Sequence, residues 1–139
     1  MLAWLAYSGT AAVDYIDKRE GLLMAPLYTV PAMLARDGLA LQDFDFYEIH
    51  EAFAAQVLCT LAAWQDEEYC RETLGLAAPF GSIDRARLNV NGSSLAKILA
   101  QAPTRAGGRP ARGLVSICAA GRQGVVAILE QNTHISPGR

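Results

Sequence analysis

The chain has 139 residues, about the size of one domain. Its composition, 52% hydrophobic and 19% charged, excludes an intrinsically disordered chain. The net charge is −2, so no strongly basic surface favours nucleic-acid binding. No apolar run reaches the ~18 residues of a membrane span. Three cysteines at unrelated spacings predict neither a disulfide framework nor a metal site, and we expect a cytoplasmic protein.

The first half of the chain predicts helices around a buried strand. Leu2–Ile16 is compatible with a strand or a short helix. Pro26 suits the first turn of a helix and Gly38 suits its C-terminal stop, so a helix is predicted between them. The aromatic and β-branched segment Phe44–Ile49 predicts a buried strand. The apolar spacing within Glu51–Trp64 predicts an amphipathic helix.

The second half predicts strands, turns and one helix. Leu88–Val90 predicts a short strand that ends at an Asn-Gly turn. Leu95–Ala102 predicts a helix that stops before a proline. Gly113–Cys118 and Val125–Leu129 predict the two strands of a β-hairpin. Together these elements predict an α/β fold, a layered mixed β-sheet with helices on its faces.

One domain is expected over the whole sequence, residues 1–139. Residues 1–25 are expected to form a leading linker or strand, and residues 131–139 a frayed tail. Neither an internal repeat nor a low-complexity stretch divides the sequence.

Two residues stand where predicted strands end. Cys118 precedes small residues whose successive backbone N–H groups can hold an oxyanion, and its thiol is a candidate acid/base or nucleophile if its pKa is lowered. His50 stands at a strand-to-helix junction, and ligands of α/β sheets bind at the carboxyl ends of strands. The structural alternatives are a buried packing cysteine and a hydrogen-bonded structural histidine.

Other candidates carry weaker signals. Asn91-Gly92-Ser93 precedes a predicted helix and is compatible with a phosphate cradle, but without a glycine-rich fingerprint an ordinary turn and cap is favoured. Cys59 and Cys70 read as packing or surface residues.

Three sequence blocks resemble the thiolase superfamily. Tyr47–Ala54 (YEIHEAFA) resembles the "HEAF" block, whose histidine form is typical of the branch with the trifunctional enzyme's β-subunit. Asn89–Gly92 resembles the "NVNG" block, and Ser116–Gly124 resembles the closing "C-x-x-G-G-Q-G" block. The blocks follow the family's order. The resemblance covers nearly the whole chain but only the C-terminal half of a thiolase, and it implies the fold of that half.

The family interconverts 3-ketoacyl-CoA plus CoA with a shortened acyl-CoA plus acetyl-CoA. The resemblance therefore implies an acyltransferase of fatty acid metabolism, with CoA as a substrate and no bound cofactor. Cys118 would be the acid/base group, and His50 would help hold a water or the thioester oxygen in an oxyanion hole. The backbone N–H of Ala120, beside Gly121, would face the other oxyanion. The implied substrate-binding residues are Asn91, Gly92 and Phe53.

Three departures from the family pattern bear on activity. The nucleophilic cysteine of a thiolase lies in the N-terminal half, and neither Cys59 nor Cys70 replaces it. The family's "GHP" loop, whose histidine activates that nucleophile, is missing where Ser94-Leu95-Ala96 leads directly into Lys97. Arg122 stands where the family has glycine, which adds strain of about 1 kcal/mol or more if φ is positive there.

We therefore expect the chain alone to be inactive in acyl transfer, because nucleophile, activator and acid/base act as a unit. The sequence leaves open whether the isolated chain is an enzyme at all. The alternative is a non-catalytic remnant or an interaction module, such as a split-enzyme subunit that pairs with a separate N-terminal thiolase half or a homo-oligomer.

Overall fold

The computed structural model describes residues 3–17, 21–90, 111–119 and 121–131. Within them four strands form one sheet in the order β1-β4-β3-β2. The strands are β1 (Ala3–Ala12), β2 (Phe46–Ile49), β3 (Arg112–Ala119) and β4 (Gln123–Gln131). β2 runs parallel to β3, whereas β4 is antiparallel to both β3 and β1. The predicted α/β fold with a mixed sheet is confirmed.

The described helices lie between β1 and β3 in sequence. They are α1 (Ala25–Asp37), α2 (Ala54–Ala63) and the short α3 (Glu67–Glu72), with 3-10 turns at Leu41–Asp43 and Arg85–Arg87. None of the helices in the described ranges combines the length and apolar character that crossing a membrane requires.

The boundaries of α1 follow from local chemistry. Pro26 occupies its first turn, and Gly38 ends it in the left-handed conformation, with φ of 67°. Pro31 lies inside the helix and has no N–H to donate to the carbonyl of Leu27, four residues earlier. The indole N–H of Trp64 donates to that carbonyl instead, at 3.2 Å. The buried proline therefore leaves no unsatisfied carbonyl.

One face of the sheet, called here the helix-covered face, packs against α1 and α2. Its core side chains include Tyr47, Ile49, Leu114, Val126 and Ile128. The opposite face carries a smaller cluster, Phe46, Ala111 and Val115. Because side chains alternate along a strand, Glu48 of β2 shares this opposite face.

Several predicted elements differ from the structure. Leu2–Ile16 contains the edge strand β1, which settles the choice between strand and short helix. α2 begins three residues later than predicted, because the chain is still extended at Phe53 (φ −143°, ψ 135°). The predicted strand Leu88–Val90 is wrong: Leu88 makes a single bridge to Tyr47, and the chain then turns. The predicted helix Leu95–Ala102 lies outside the described residues.

Candidate functional site

The parallel pair β2 and β3 brings the two predicted catalytic residues to one end of the sheet. Ile49 lies opposite Ser116 in the ladder, and the N–H of His50 donates to the carbonyl of Ser116 at 2.8 Å. Cys118 follows two residues later on β3. Both residues therefore stand at the carboxyl ends of neighbouring parallel strands, where α/β sheets bind ligands.

Cys118 lies on the helix-covered face and is 8% exposed. Its cross-strand partner is Gly124, where a Cβ would lie 2.7 Å from the backbone nitrogen of Pro26, so α1 begins directly against this strand pair. Burial raises the pKa of the Cys118 thiol, and hydrogen bonds from the backbone N–H groups of Cys118 and Ala52 offset part of that rise. A cysteine that acts as a nucleophile needs a lowered pKa, which Cys118 does not have. At neutral pH its side chain is therefore a protonated thiol.

The segment that follows β2 approaches the thiol through its backbone. The N–H of Ala52 lies close enough to Cys118 to lower the pKa of its thiol. The side chains of His50 and Phe53 are exposed, Phe53 to 67%. The structure therefore relates His50 to Cys118 through the backbone: a buried thiol lies beneath a segment whose side chains face solvent.

Asn89 is a site residue that the sequence analysis missed. Its amide Oδ1 accepts from the N–H of Ile49 at 2.8 Å, and its Nδ2 donates to the carbonyl of Ile49 at 2.9 Å. Nδ2 also donates to the carboxylate of Glu51. The available signal was the "NVNG" block, from which only Asn91 and Gly92 were predicted as site residues.

Glu48 is a second group that the sequence analysis did not single out. The residue is 7% exposed, and among the described residues its Oε2 has no hydrogen-bond partner. Burial raises the pKa of its carboxyl, and the neighbouring charge of Glu51 adds to the rise. The strand that leads to His50 thus carries a buried carboxyl whose pKa is raised.

The β3–β4 turn has a backbone conformation that is strained for arginine at position 122, where the family has glycine. Gly121 has φ of 87° and Arg122 has φ of 72°, so an arginine occupies the left-handed region. Its guanidinium lies 4.5 Å from the centroid of the Tyr15 ring, and its carbonyl accepts from the N–H of Val13 at 3.0 Å. The turn is therefore anchored to the end of β1 despite the unfavourable φ.

Three predicted site residues lie outside the described residues, namely Ala120, Asn91 and Gly92. Their oxyanion and substrate-binding roles stay predictions. Over the described ranges no cluster of three or more His, Cys, Asp or Glu side chains is arranged to hold a metal ion.

Known proteins resemble this chain over nearly its whole length. The family described as "Thiolase, C-terminal domain" matches residues 2–131. The 3-ketoacyl-CoA thiolase of Pectobacterium atrosepticum is 36% identical over 140 residues, which cover 91% of this chain and 31% of that protein. The 3-ketoacyl-CoA thiolase of Salmonella typhimurium gives the same values. The chain thus spans about a third of the length of these relatives.

Solved structures agree with this match. The peroxisomal 3-ketoacyl-CoA thiolase of Saccharomyces cerevisiae, described as a five-layered structure built from two core domains of identical topology, superposes with a TM-score of 0.64 and 28% identity. That superposition covers 94% of this chain and 34% of the yeast chain. The acetyl-CoA acetyltransferase of Bacillus anthracis gives a TM-score of 0.63 and 27% identity, over 94% of this chain and 31% of that chain. The chain therefore belongs to the thiolase family, in which it corresponds to the C-terminal domain.

Proposed function

We propose that this chain, as a single domain, provides the acid/base part of a thiolase-type acyltransferase that acts on acyl-CoA thioesters. The observation that carries the proposal is the buried thiol of Cys118, which lies beneath the His50–Ala52 segment at the carboxyl ends of two parallel strands. A thiol that is protonated at neutral pH suits proton transfer better than nucleophilic attack. CoA enters as a substrate, and the proposed chemistry needs no cofactor.

The other two cysteines support the view that the nucleophile is supplied from outside this domain. Cys59 is exposed and belongs to α2, not to a strand end. Cys70 is fully buried, and its sulfur faces the carbonyls of Ala63 and Trp64, each at 3.4 Å. Neither cysteine shares the environment of Cys118, so this domain on its own would move protons without transferring an acyl group.

The proposed step is removal of a proton from the carbon next to the thioester carbonyl. The thiolate form of Cys118, a minor fraction at neutral pH, takes that proton and becomes a thiol, while the electron pair moves to the thioester oxygen and forms an enolate. His50, whose exposed imidazole stands at the same strand end, donates a hydrogen bond to that oxygen. Return of the proton restores the thioester, so the net reaction is hydrogen exchange with solvent.

A histidine at position 50 also supports the placement of this chain within one branch of the thiolase superfamily, the branch with the trifunctional enzyme's β-subunit. In that branch imidazole takes the place of the amide of other thiolases. Both side chains present an N–H donor, but only imidazole changes its charge near neutral pH. We propose that this chain takes its oxyanion donor from the imidazole of His50.

The experiment measures deuterium exchange into the methyl group of acetyl-CoA in heavy water. Proton NMR monitors the exchange as loss of the methyl signal. We expect the wild-type chain to accelerate exchange and Cys118→Ala to lose that acceleration, which for acid/base catalysis is about 10²–10⁴-fold. His50→Ala should reduce it, while Cys59→Ala is the matched control and should leave it unchanged. Equal exchange by wild type and Cys118→Ala would contradict the proposal.

A parallel assay addresses acyl transfer by the same preparation. Acetoacetyl-CoA and CoA are mixed with the chain, and loss of the 3-ketoacyl thioester is followed by absorbance. We expect no turnover above the uncatalysed rate. Clear turnover would show that the domain carries a nucleophile of its own, and would contradict the restriction to proton transfer.

The surface of α2 favours a second candidate function, an interaction module that completes a separate N-terminal thiolase half. Its ten residues, AAQVLCTLAA, include no charged side chain, yet Leu58 is 50% exposed, and Phe53 at its N-cap is 67% exposed. A cavity of about 200 Å³ opens beside this helix, between Val57, Leu58 and Leu88. Exposed apolar surface of this kind marks protein contacts.

Size-exclusion chromatography with light scattering tests this second function. We expect the wild-type chain to self-associate, or to form a complex when it is co-expressed with an N-terminal thiolase half. Leu58→Glu should weaken either association. A monomer that stays monomeric with and without that half would count against an interaction module.

A further inference from the structure

Asn89 binds the end of β2 much as a neighbouring strand would. Its amide accepts from the N–H of Ile49 at 2.8 Å and donates to the carbonyl of the same residue at 2.9 Å. Its own backbone N–H donates to the carbonyl of Tyr47 at 2.9 Å. One residue thus satisfies both backbone groups of the last strand residue before His50.

The same amide reaches beyond the strand. Nδ2 donates to the carboxylate of Glu51, so the residues on both sides of His50 are bound to one side chain. Asn89 has φ of 49°, in the left-handed region, which asparagine adopts more readily than most residues. Both the backbone conformation and the amide therefore favour asparagine at this position.

The other side of the segment is held by β3. The N–H of His50 donates to the carbonyl of Ser116 at 2.8 Å. The N–H of Ala52 is close enough to Cys118 to lower the pKa of its thiol. The residues from Ile49 to Ala52 therefore run between two anchors, with the Asn89 amide on one side and the end of β3 on the other.

We propose that Asn89 is a positioning residue, which holds the backbone from Ile49 to Glu51 so that the N–H of Ala52 reaches the Cys118 sulfur. A hydrogen bond to sulfur stabilises the thiolate relative to the thiol. Asn89 thereby sets the acidity of Cys118 without touching it. The inference rests on the proposed role of Cys118 as the acid/base group.

The experiment measures the pKa of Cys118 from the pH dependence of its alkylation by iodoacetamide. Trypsin releases residues 113–122, which contain Cys118 and no other cysteine, so mass spectrometry follows this thiol alone. The variant is Asn89→Gly, because glycine accepts the positive φ and loses only the amide. We expect the midpoint to rise and alkylation at about pH 8 to slow, since the thiolate fraction falls about tenfold for each pKa unit by which the midpoint rises.

A merely structural role of Asn89 gives the opposite result. If the amide only keeps water away, its loss exposes Cys118, and the burial that raises the pKa of the thiol is relieved. The midpoint would then fall and alkylation would become faster. A lower or an unchanged midpoint in Asn89→Gly overturns the proposal.

The control is Val90→Ala, which shortens the exposed neighbouring side chain and should leave the midpoint unchanged. The titratable and charged groups around this end of the sheet are the same in wild type and Asn89→Gly: Glu48 within β2, His50 and Glu51 after β2, and Arg122 after β3. The first turn of α1, which packs against Gly124, adds no acidic side chain. A difference in midpoint therefore reports the amide.

A second measurement needs no variant and so does not depend on the folding of Asn89→Gly. In the wild-type chain labelled with ¹⁵N, we expect the Ala52 amide proton to shift with pH at the midpoint found by alkylation. An Ala52 amide that does not follow the thiol overturns the proposal. Neither measurement uses a CoA thioester, so a failure of proton exchange and a failure of this inference are distinguishable.

Discussion

Adding one methyl group at Gly124 tests the contact that buries the candidate acid/base. A Cβ there would lie 2.7 Å from the nitrogen of Pro26, 2.9 Å from the carbonyl carbon of Ala25 and 3.0 Å from Cδ of Pro26. The two closest atoms belong to the backbone, so no side-chain rotation relieves the clash. The start of α1 would have to retreat by roughly 0.7 Å to restore an ordinary contact of 3.4 Å.

Such a retreat disturbs the core, because Ala25 and Leu27 at the start of α1 are fully buried. Overpacking of this kind costs about 1–3 kcal/mol, which lowers the melting temperature of a chain this long by roughly 3–12 °C. Cys118 lies directly opposite Gly124, so the retreat also opens a route to its thiol. We therefore expect Gly124→Ala both to lose stability and to be alkylated faster at Cys118.

Urea unfolding followed by circular dichroism measures the first effect, and peptide mass spectrometry measures the second. The matched control is Gly38→Ala, at a left-handed position where a Cβ meets nothing within 4 Å. It should cost about 1 kcal/mol through backbone strain alone and leave the alkylation of Cys118 unchanged. The reasoning is refuted if Gly124→Ala unfolds within about 0.5 kcal/mol of wild type, the usual range for inconsequential surface changes.

Three further predictions concern protons and the β3–β4 turn. Burial raises the folded pKa of Glu48 above its ordinary value of 4.5, so the unfolded chain loses this proton first as pH rises. The free energy of unfolding should then decrease as the pH rises from 4.5 to the raised pKa of Glu48. Urea titrations of Glu48→Gln should not show that decrease, and the same pH dependence in both chains would contradict the prediction. Arg122→Gly should relieve about 1 kcal/mol of backbone strain but lose about 0.5–1 kcal/mol of cation–π attraction to Tyr15. The stabilisation by Arg122→Gly should therefore be larger when Tyr15 is already changed to Leu. Equal effects in the presence and absence of Tyr15 would exclude a coupling between the two residues. The rate of acetyl-CoA exchange should increase tenfold per pH unit until the raised pKa of Cys118, and a plateau below the ordinary thiol value of 9.0 would exclude this group as the base.

Local chemistry was sufficient to predict several elements from the sequence. The proline in the first turn and the glycine after the last define α1, and the aromatic segment Phe44–Ile49 contains β2. The start of α2 was placed too early because the helical spacing of apolar residues begins at Phe53, which precedes the helix, and the predicted helix was extended back to Glu51. In the structure the residues just before Ala54 are not helical, and Phe53 is extended. Asn89 and Ser116 bind the backbone of Ile49 and His50, and sequence periodicity contains no information about such distant partners.

The candidate site was predictable in its position but not in its electrostatics. His50 and Cys118 each follow a predicted strand, and parallel pairing brings the two strand ends together. The pKa of Cys118 is raised by burial in the folded chain, which no local sequence pattern reveals. Asn89 was missed because its amide acts on a residue forty positions earlier in the chain. An asparagine before an Asn-Gly turn reads locally as part of that turn.

The proline inside α1 links two parts of the chain that would otherwise vary separately. Pro31 leaves the Leu27 carbonyl without a helical donor, and the indole of Trp64 at the end of α2 supplies one. Changing Trp64 alone leaves the buried Leu27 carbonyl without a donor. Changing Pro31 alone introduces a backbone N–H that competes with the indole for that carbonyl. The two positions are therefore expected to show epistasis, so that the double substitution costs less than the two single substitutions together. In related domains, a proline at one position should accompany a tryptophan at the other.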